Sequence, residues 1–546
     1  MNRHNNLQRL ETEDFDLLII GAGASGTGCA LDAALRGLRV ALIEKEDFAA
    51  GTSSKSTKLI HGGVRYLEQA FKNFDFAQLK QVKHGLEERH TVLCNAPHLA
   101  QPLGLITPVN SWIEGLYFSI GLKIYGWFAA GQDNLPKSQW LSKKQALQRM
   151  PGLSPHIHSA IMYYDGQLDD ARYCVAMAQS AEAAGAAITN HTELTGFEHN
   201  DSGQLTVAWV RDNLTGHQIK VRAKHFLNCA GPYADPIRKM ANAALTPRIR
   251  PSKGVHAILP YTVLNSKDAM LIPKTKDGRV VFAIPFGQHV MLGTTDTDYQ
   301  QTDQEPVLEA AEIAFLLETL APFVSKPPDA AQVSAGFGGL RPLIAADPSK
   351  GTKNLVRDHE VEHDPKSGLL SLLGGKWTTY RLMAADAIDA ACSLLKNTHP
   401  CITDKHLLWG SKDYRFEIWQ NLRSETGLEA DICQHLLQKY GTYAREVAAL
   451  AQKNANLRPR IVPGYPFILA EVVYAAKEEM ACTVRDFLAR RLRLEIEDWQ
   501  AAISATPAVA KVMGTALGWS AAEETRQAAE YIELVETWKL CLETRK

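Results

Sequence analysis

The clearest pattern near the start of the chain is a pair of apolar runs separated by small residues. The first run covers residues 15–20 and the second covers residues 40–43. Short continuous apolar runs are typical of buried strands, and the stretch from Thr27 to Arg36 is compatible with a helix. The pattern therefore predicts a strand–helix–strand unit close to the N-terminus.

The turn between the first predicted strand and the helix has the spacing Gly-x-Gly-x-x-Gly. The first glycine permits a tight turn, the second lets the backbone approach a pyrophosphate, and the third lets the helix pack closely on the strand. An acid ends the second run, where it can accept hydrogen bonds from ribose hydroxyls and disfavours the 2′-phosphate of NADP. The predicted unit binds a dinucleotide, and its candidate contact residues are Gly21, Gly23, Ala24, Ser25, Gly26 and Glu44.

A polar loop follows the second predicted strand. Residues 51–58 are all glycine, serine, threonine or lysine, and residues 59–62 read Leu-Ile-His-Gly. Such a loop buries little apolar surface, so its amides and hydroxyls suit a phosphate or the edge of an isoalloxazine ring; a solvated loop is the alternative. The candidate cofactor contacts in this segment are Thr52, Ser53, Ser54, Lys58, His61 and Gly62.

Composition and charge remove several classes of function. A chain of 546 residues is long enough for two or more domains, and its formal net charge of −1 provides no basic field for a nucleic-acid partner. The nine cysteines include no Cys-x-x-Cys pair, which argues against zinc, iron–sulfur and disulfide frameworks, so no metal site is predicted. The polar N-terminus does not have the pattern of a secretory signal, and no window is apolar enough to predict a transmembrane helix.

Two segments allow two interpretations each. Residues 102–130 are rich in aromatic and aliphatic side chains, which predicts either a buried helix or an amphipathic surface that dips into lipid. Arg485, Arg490, Arg491 and Arg493 predict a basic face. That face is either solvated or paired within the chain, or it contacts anionic lipid or a partner.

The polar loop and several later segments resemble the FAD-dependent, quinone-linked (aerobic) glycerol-3-phosphate dehydrogenase family. The family's Thr-Ser-Ser…Lys-Leu-Ile-His-Gly-Gly…Arg-Tyr-Leu run corresponds to residues 52–67. Further similar segments are residues 228–232, 293–296, 339–343, 374–381, 481–485 and 490–494. The resemblance implies oxidation of sn-glycerol 3-phosphate to dihydroxyacetone phosphate, with hydride passing from C2 to flavin N5 and electrons passing to a membrane quinone.

With this resemblance, the pattern along the chain predicts an α/β fold with an added helical part. A discontinuous Rossmann-like FAD-binding domain is expected at residues 15–98, 168–245 and 335–395. A substrate-binding cap with a mixed or antiparallel sheet is expected at residues 99–167 and 246–334, because these contain apolar or alternating strands. A C-terminal helical domain is expected at residues 396–546.

The resemblance also implies roles for residues outside the glycine motif. A phosphorylated substrate requires fixed cations, for which the candidates are Arg65, Arg341, Arg357 and Lys376, with Tyr66 as an added hydroxyl donor. His256, in a Lys-Gly-x-His motif, is the predicted base, and Arg341 is the second predicted catalytic residue. The remaining predicted flavin contacts are Gly231, Gly375, Lys376 and Thr378, where Lys376 could serve the flavin instead of the substrate.

Several alternatives stay open at this point. A glycerol-3-phosphate oxidase, which gives its electrons to oxygen, is not separated by these motifs, whereas the lack of a basic stripe disfavours a tRNA-modifying FAD protein. Peripheral contact with a membrane is expected, at the cytoplasmic face of a bacterial inner membrane, or in the cytoplasm if the protein is isolated as soluble. A homodimer is left open. The bacterial-type expectation depends on the absence of a presequence pattern and of a C-terminal calcium-binding module.

Overall fold

The computed structural model describes residues 1–62, 76–128, 135–273, 275, 280–301, 304–345 and 359–543. Numbered along the chain, the strands are β1 (Asp14–Ile20), β2 (Val40–Ile43), β3 (Leu59–Ile60), β4 (Ala100–Val109), β5 (Gln139–Ser142), β6 (Ser159–Leu168), β7 (Ala187–Thr189), β8 (Thr192–His199), β9 (Leu205–Asp212), β10 (Gln218–Asn228), β11 (Ile249–Pro260), β12 (Ala269–Ile272), β13 (Val281–Phe286), β14 (His289–Gly293), β15 (Thr297–Asp298), β16 (Ala335–Ile344), β17 (His359–His363) and β18 (Leu370–Gly374). The α-helices are α1 (Arg3–Thr12), α2 (Ala24–Leu35), α3 (Phe76–Asn95), α4 (Trp112–Phe128), α5 (Lys143–Arg149), α6 (Asp170–Ala183), α7 (Ala234–Ala241), α8 (Ala310–Leu320), α9 (Tyr380–Leu395), α10 (Trp419–Thr426), α11 (Ala430–Tyr440), α12 (Ala444–Lys453), α13 (Leu469–Glu478), α14 (Trp499–Leu517) and α15 (Ala521–Glu543).

One sheet carries the predicted nucleotide-binding unit. Its strands lie in the order β17–β18–β10–β1–β2–β7, and β9 and β8 extend it from β10. β1 pairs in parallel with β2 and β10, and β10 pairs in parallel with β18. Helices α2, α6 and α9 pack together around a core that includes Leu17, Val175 and Ile388. The parallel centre of this sheet is buried, which explains why β1 and β2 appear in the sequence as continuous apolar runs.

The second sheet is mainly antiparallel. Its order is β15–β11–β14–β13–β12–β4–β6–β3, with β16 beside β11 and β5 beside β6. β11 pairs with β16 from Ile249 opposite Ile344 to Ile258 opposite Ala335, whereas β12 and β4 pair in parallel. The predicted fold class is confirmed. However, β16 belongs to this sheet although the sequence assigns residues 335–395 to the cofactor domain, and the domain limits remain a prediction.

The described part of the chain beyond residue 396 contains the predicted helices. Helices α13 to α15 share one apolar core with the second sheet, in which Phe487, Trp499 and Val535 pack with residues such as Ile258 and Phe337. A separate small core surrounds Leu436 of α11. The C-terminal helices therefore lie against the sheet that carries the predicted base.

The exposed face of α4 decides between the two interpretations of residues 102–130. Ile113 is 74 % exposed, Tyr117 is 50 % exposed and Ile120 is 51 % exposed, whereas Leu122 is buried. Residues 102–109 of this segment belong to β4, and the helix that follows exposes apolar side chains, so the interpretation as a buried helix is wrong. Over the described residues, no helix combines the length and hydropathy that crossing a membrane requires.

The predicted basic face is paired within the chain. Arg490 and Arg491 both form ion pairs with the buried carboxylate of Asp47, and Arg493 forms one with Asp170. The interpretation as a face paired within the chain is confirmed for these three arginines, and contact with anionic lipid is wrong for them, because each is at most 6 % exposed. Their charges instead join the C-terminal helices to the first sheet.

Candidate active site

The glycine turn makes the close contacts that its motif predicts. Gly21 has a φ of +101°, and a Cβ on this residue would lie 2.9 Å from the carbonyl oxygen of Cys229. A Cβ on Gly26 would lie 1.7 Å from the carbonyl oxygen of Gly21, so glycine is required for α2 to begin this close to β1. Gly23 is the N-cap residue of α2, and Ser25 is half-buried in its first turn. The helix N-terminus therefore presents amide N–H groups, which attract phosphate.

Glu44 lies beside this turn at the end of β2. Its Oε2 accepts a hydrogen bond of 2.7 Å from the amide of Ala22, and its Oε1 accepts one of 3.0 Å from the amide of Glu46. Burial raises the pKa of Glu44, and the two amides act in the opposite direction. This is the position that the sequence predicts for a ribose contact.

The polar loop folds against the glycine turn. Ser53 Oγ accepts a 2.9 Å hydrogen bond from the amide of Ala24, and the carbonyl of Ser53 accepts one of 2.9 Å from the indole N–H of Trp377. Thr52 Oγ1 donates to the carbonyl of Leu340 on β16, and Ser54 is buried. The alternative of a solvated loop is therefore wrong, because the loop joins the glycine turn to the second sheet.

Two more glycine turns reach the same edge of the first sheet. Gly231 follows β10 with a φ of +56°, and Gly375 follows β18 with a φ of +88°. Because β1, β10 and β18 are adjacent parallel strands, their carboxyl ends lie together. Lys376 and Thr378 belong to the turn after Gly375. Glycines with positive φ, the N-terminus of α2 and a carboxylate at one sheet edge fit FAD.

His61 lies beyond the polar loop, with its ring centre 6.3 Å from that of Phe282 on β13. Burial lowers the pKa of His61 to about 4, and the cations of Lys376 and Arg89 act in the same direction. The imidazole is therefore neutral at pH 7, and two predicted flavin-side residues, His61 and Lys376, lie near each other. Gly62 is buried against α3, where a Cβ on Gly85 would lie 2.9 Å from the Cα of Gly62.

His256 is buried on β11 between two other groups of the site. Its Nε2 lies 3.0 Å from Oγ1 of Thr57 in the polar loop, and its ring stacks on Phe337 of β16 at 4.8 Å between centres. Burial lowers the pKa of His256 well below its usual value, and the cations of Lys58 and Arg341 lower it further. The ring is thus neutral at pH 7, as a general base must be before it accepts a proton.

Arg341 lies on the same sheet face as His256. Ser252 of β11 pairs with Arg341 of β16, and His256 of β11 pairs with Phe337 of β16. Ser252 and His256 are an even number of residues apart on one strand, so they point to the same face of the sheet, and so do their partners on β16. The Nη2 of Arg341 donates to Oγ1 of Thr294 at 3.2 Å and to the carbonyl of Thr295 at 3.0 Å.

The guanidinium of Arg341 can occupy its position only because residue 254 on the neighbouring strand is a glycine. A Cβ on Gly254 would lie 2.5 Å from its Nη2. Its Nη1 lies 3.5 Å from Oδ1 of Asp296, and 28 % of the side chain is exposed. A fixed, partly exposed arginine of this kind can bind phosphate oxygens.

Some predicted residues are placed differently or are not described. Lys253, in the same motif as His256, lies on the opposite face and pairs with Glu309 and Glu312 at 3.0 Å. Lys58 does not stand beside the glycine turn; its Nζ donates to the carbonyl of Ser54 at 2.9 Å and to Asp170 at 2.9 Å. The predictions for Arg65, Tyr66 and Arg357 lie outside the described residues.

The sequence missed three residues that complete the site, namely Thr57, Phe337 and Thr294. Thr57 was visible only as one of several hydroxyl residues in the polar loop, and Phe337 as one apolar residue of a strand. Their roles come from the register of β11 and β16 and from the fold of the loop, which a single sequence does not specify. Thr294 belongs to a segment that carried the family resemblance, so it could have been proposed.

One group of metal-ligand types occurs among the described residues, away from the predicted base. Atoms of His191, Cys482 and Asp486 lie within 4.8 Å of one another. Asp486 already accepts hydrogen bonds from the amides of Cys482 and Thr483 at 2.8 and 3.0 Å, and it pairs with His191 and Arg490. These contacts account for the cluster without an ion.

Two families match this chain. The family described as FAD dependent oxidoreductase matches residues 16–381, and the C-terminal domain of alpha-glycerophosphate oxidase matches residues 401–524. Among curated relatives, a mitochondrial glycerol-3-phosphate dehydrogenase of Arabidopsis thaliana is 39 % identical over 97 % of this chain and 87 % of its own. One of Mus musculus is 41 % identical over 93 % of this chain and 71 % of its own.

Solved structures agree with these matches. The glycerol-3-phosphate dehydrogenase of Bacillus halodurans, complexed with FAD, superposes with a TM-score of 0.79 at 27 % identity, covering 98 % of this chain and 97 % of that one. The L-alpha-glycerophosphate oxidase of Mycoplasma pneumoniae shares the fold, with a TM-score of 0.56 at 19 % identity over 71 % of this chain and 97 % of that one. The matches over nearly the whole chain and the FAD-compatible glycine turns agree, and the chain belongs to the family of FAD-dependent glycerol-3-phosphate dehydrogenases.

Proposed function

We propose that this protein oxidises sn-glycerol 3-phosphate to dihydroxyacetone phosphate and passes the electrons to a membrane quinone. The observation that carries the proposal is the shared face of β11 and β16, which holds the neutral imidazole of His256 and the guanidinium of Arg341. The polar loop contacts both strands, since Thr57 lies against His256 and Thr52 donates to Leu340. The same loop is bonded to the glycine turn through Ser53.

FAD would be held by the three glycine turns, by Glu44 and by the polar loop. When bound, it would supply the two-electron acceptor for the hydride on C2 of the substrate, from which the electrons would go on to the quinone. His61 and Lys376 lie where the loop and the turn after β18 meet. The cation of Lys376, which is half-buried, would favour negative charge on the bound cofactor, because opposite charges attract.

His256 takes the proton of the substrate hydroxyl in this proposal. In this proposal Nε2–H donates to Oγ1 of Thr57, which lies 3.0 Å away, and the lone pair is on Nδ1. Nδ1 is buried without a hydrogen-bond partner among the described residues. The stacked ring of Phe337 fixes the plane of the imidazole. This tautomer has one nitrogen anchored and the other ready to accept a proton.

Arg341 binds the substrate phosphate, because its planar guanidinium offers two parallel N–H donors to phosphate oxygens. Its bonds to Thr294 and Thr295 hold it in place before substrate arrives. The family resemblance adds Arg65, Tyr66, Arg357 and Lys376 as further contacts to the phosphate and hydroxyl groups.

Anaerobic mixing of the FAD-loaded protein with glycerol 3-phosphate tests the assignment. Loss of flavin absorbance, reversed rapidly by a quinone analogue and slowly by oxygen, is the expected result. The description of the C-terminal family favours a second candidate, an oxidase, for which oxygen would reverse the change rapidly. A flavin that glycerol 3-phosphate does not bleach would refute both functions.

We also propose that the exposed face of α4 rests in the surface of a phospholipid membrane, where the quinone is dissolved. Trp112, Ile113, Leu116, Tyr117 and Ile120 form a stripe at helical spacing and are each at least 40 % exposed. An exposed stripe of aromatic and aliphatic side chains marks a surface that contacts a membrane or another protein. In a bacterium, this membrane would be the inner one, approached from the cytoplasm.

The relatives named above are mitochondrial proteins, so fractionation of the source cells is needed to test the bacterial location. A homodimer formed through α4 would bury the same apolar stripe, and no part of that stripe would remain to enter the lipid. Light scattering of the protein without detergent separates the two arrangements, because a dimer formed through α4 would double the mass.

A further inference from the structure

A buried carboxylate joins two cations from distant parts of the chain. Asp170, the first residue of α6, is fully buried. Its Oδ2 accepts a 2.9 Å hydrogen bond from Nζ of Lys58, and its Oδ1 lies 2.9 Å from Nη2 of Arg493. Ser56 also donates to Oδ2, from its amide at 3.1 Å and from its hydroxyl at 2.7 Å. Asp170 therefore fixes both cations and the polar loop.

Lys58 stands next to the predicted base. Its ammonium nitrogen is 4.9 Å from the ring centre of Phe337, and Phe337 stacks on His256 at 4.8 Å. The preceding residue, Thr57, contacts Nε2 of His256. Lys58 is 1 % exposed, so water does little to screen its charge from the imidazole.

Arg493 comes from the C-terminal part of the chain, between α13 and α14. It has a φ of +79° and is 2 % exposed. Besides Asp170, its Nη2 donates to the carbonyl of Ser54 at 3.0 Å, and its Nε lies 3.7 Å from Asp169. The arginine thus reaches the polar loop from the C-terminal helical part of the chain.

We infer that Arg493 is a positioning residue for proton transfer: through Asp170 it sets the charge of Lys58, and Lys58 sets the basicity of His256. The inference rests on the proposed function, because it assumes that His256 accepts the substrate proton. The hydrogen bonds and ion pairs of Arg493 go to Ser54, Asp169 and Asp170, so its effect on His256 passes through the other two charged residues.

The charges that face Lys58 determine the direction of the effect. Burial and the cation of Arg493 lower the pKa of Lys58 to about 7, while Asp170 and Asp169 oppose this shift. On the other side stands His256, whose pKa is lowered by burial, by Lys58 and by Arg341. Lys58 is consequently the side chain that changes charge near neutral pH.

The direction of the pH effect on flavin reduction follows from repulsion between two cations. A charged Lys58 opposes formation of the imidazolium when His256 accepts the proton. As pH rises through about 7, Lys58 loses its charge, and flavin reduction should accelerate roughly fivefold. Reduction should fail completely only in more acidic solution, where His256 itself becomes protonated.

Single-turnover flavin reduction by glycerol 3-phosphate, measured anaerobically as a function of pH, tests the inference. Arg493→Met removes a cation beside Lys58 and should raise the midpoint of the near-neutral step by about one pH unit, whereas Asp170→Asn should lower it by about as much. Arg493→Lys restores the charge and should return the midpoint toward that of the unsubstituted protein. Lys58→Arg cannot lose its charge in this range and should abolish the step.

A structural role alone would lower FAD retention or the melting temperature without moving the midpoint in opposite directions. Each variant is therefore checked for bound FAD and melting temperature before kinetics. Should Arg493→Met fail to retain FAD, Asp170→Asn and Lys58→Arg carry the test. Coinciding midpoints in all FAD-loaded variants would overturn this inference alone, whereas an unsubstituted protein that substrate does not reduce would overturn the proposed function as well.

Discussion

Gly293 leaves the space in which the imidazole of His256 lies. A Cβ on Gly293 would be 2.2 Å from Cδ2 of His256 and 2.8 Å from its Nε2. The two residues face each other across the pair of β14 and β11. Any side chain at position 293 therefore forces the ring away from Thr57 and from its stack on Phe337.

Gly293→Ala should slow flavin reduction by about 100-fold, which is the order of a lost general base, with little change in substrate affinity. Stopped-flow reduction over a range of glycerol 3-phosphate concentrations separates the two quantities. Gly196→Ala is the matched control, because a Cβ there meets nothing within 4 Å. An unchanged rate in Gly293→Ala would show that the position of the ring is not critical.

His256→Ala should likewise reduce the rate of flavin reduction by about 100-fold or more while the substrate still saturates at similar concentrations. Adding Gly293→Ala to this variant should cause almost no further loss, because the glycine acts through the imidazole. The double variant is measured in the same stopped-flow assay. Additive losses would assign Gly293 a separate role and would weaken the case for His256 as the base.

Arg341→Ala should raise the KM for glycerol 3-phosphate by about 100-fold with FAD still bound, since a charge-assisted pair to phosphate contributes about 2–3 kcal/mol. Steady-state kinetics and the flavin absorbance of the purified variant check both parts. Arg211→Ala removes an arginine whose ion pair with Glu193 is exposed on the first sheet, and should leave KM unchanged. A normal KM for Arg341→Ala would remove this residue from the phosphate site.

The geometry of the glycine turn could be predicted from the sequence because its requirements are local, whereas the cofactor contacts themselves stay a prediction. Gly21, Gly26 and Glu44 follow directly from strand ends and from close backbone approach. Lys58 was predicted as a cofactor contact, yet its ammonium points to Asp170, which lies far away in the sequence. Side-chain direction in a loop depends on the tertiary partner, and a loop has no periodicity from which that partner could be inferred.

Asp47→Ala should destabilise the protein by about 3–5 kcal/mol, because two buried guanidinium groups would lose their shared carboxylate. Asp47 is fully buried and accepts hydrogen bonds from Arg490, Arg491 and Asn190. Denaturant unfolding measures the loss. Glu523→Ala, which breaks the exposed pair with Arg526, should cost less than about 1 kcal/mol.

If Asp47→Ala lowered the free energy of unfolding by no more than the surface control does, water or other acids would have replaced the carboxylate.

The buried arginines illustrate a second limit of what can be predicted from the sequence. Their spacing predicts a basic face, but whether such a face meets water, lipid or carboxylates depends on which surface packs against it. In this fold the loop after β2 supplies Asp47 to that surface.

Substituting glutamine for both Ile113 and Ile120 should weaken binding to phospholipid vesicles by about tenfold or more, because each isoleucine loses its apolar burial in the interface. Co-sedimentation with vesicles measures the partition. The same change at Leu394, a 39 % exposed leucine of α9, is the control and should leave binding unchanged. Equal binding of all three proteins would exclude α4 as the membrane contact, and flavin reduction by substrate should be normal throughout.

The ion pairs between the C-terminal arginines and the first sheet restrict how this chain can be divided. A truncation near residue 395 would remove the guanidinium partners of Asp47 and Asp170. The truncation would also expose the apolar core that α13 to α15 share with the second sheet, and each Å² of apolar surface exposed to water costs about 25 cal/mol. The FAD-binding part is consequently expected to misfold when expressed by itself, so gene fusions, domain exchanges and shortened versions of this enzyme have to carry the helices along with the catalytic sheets.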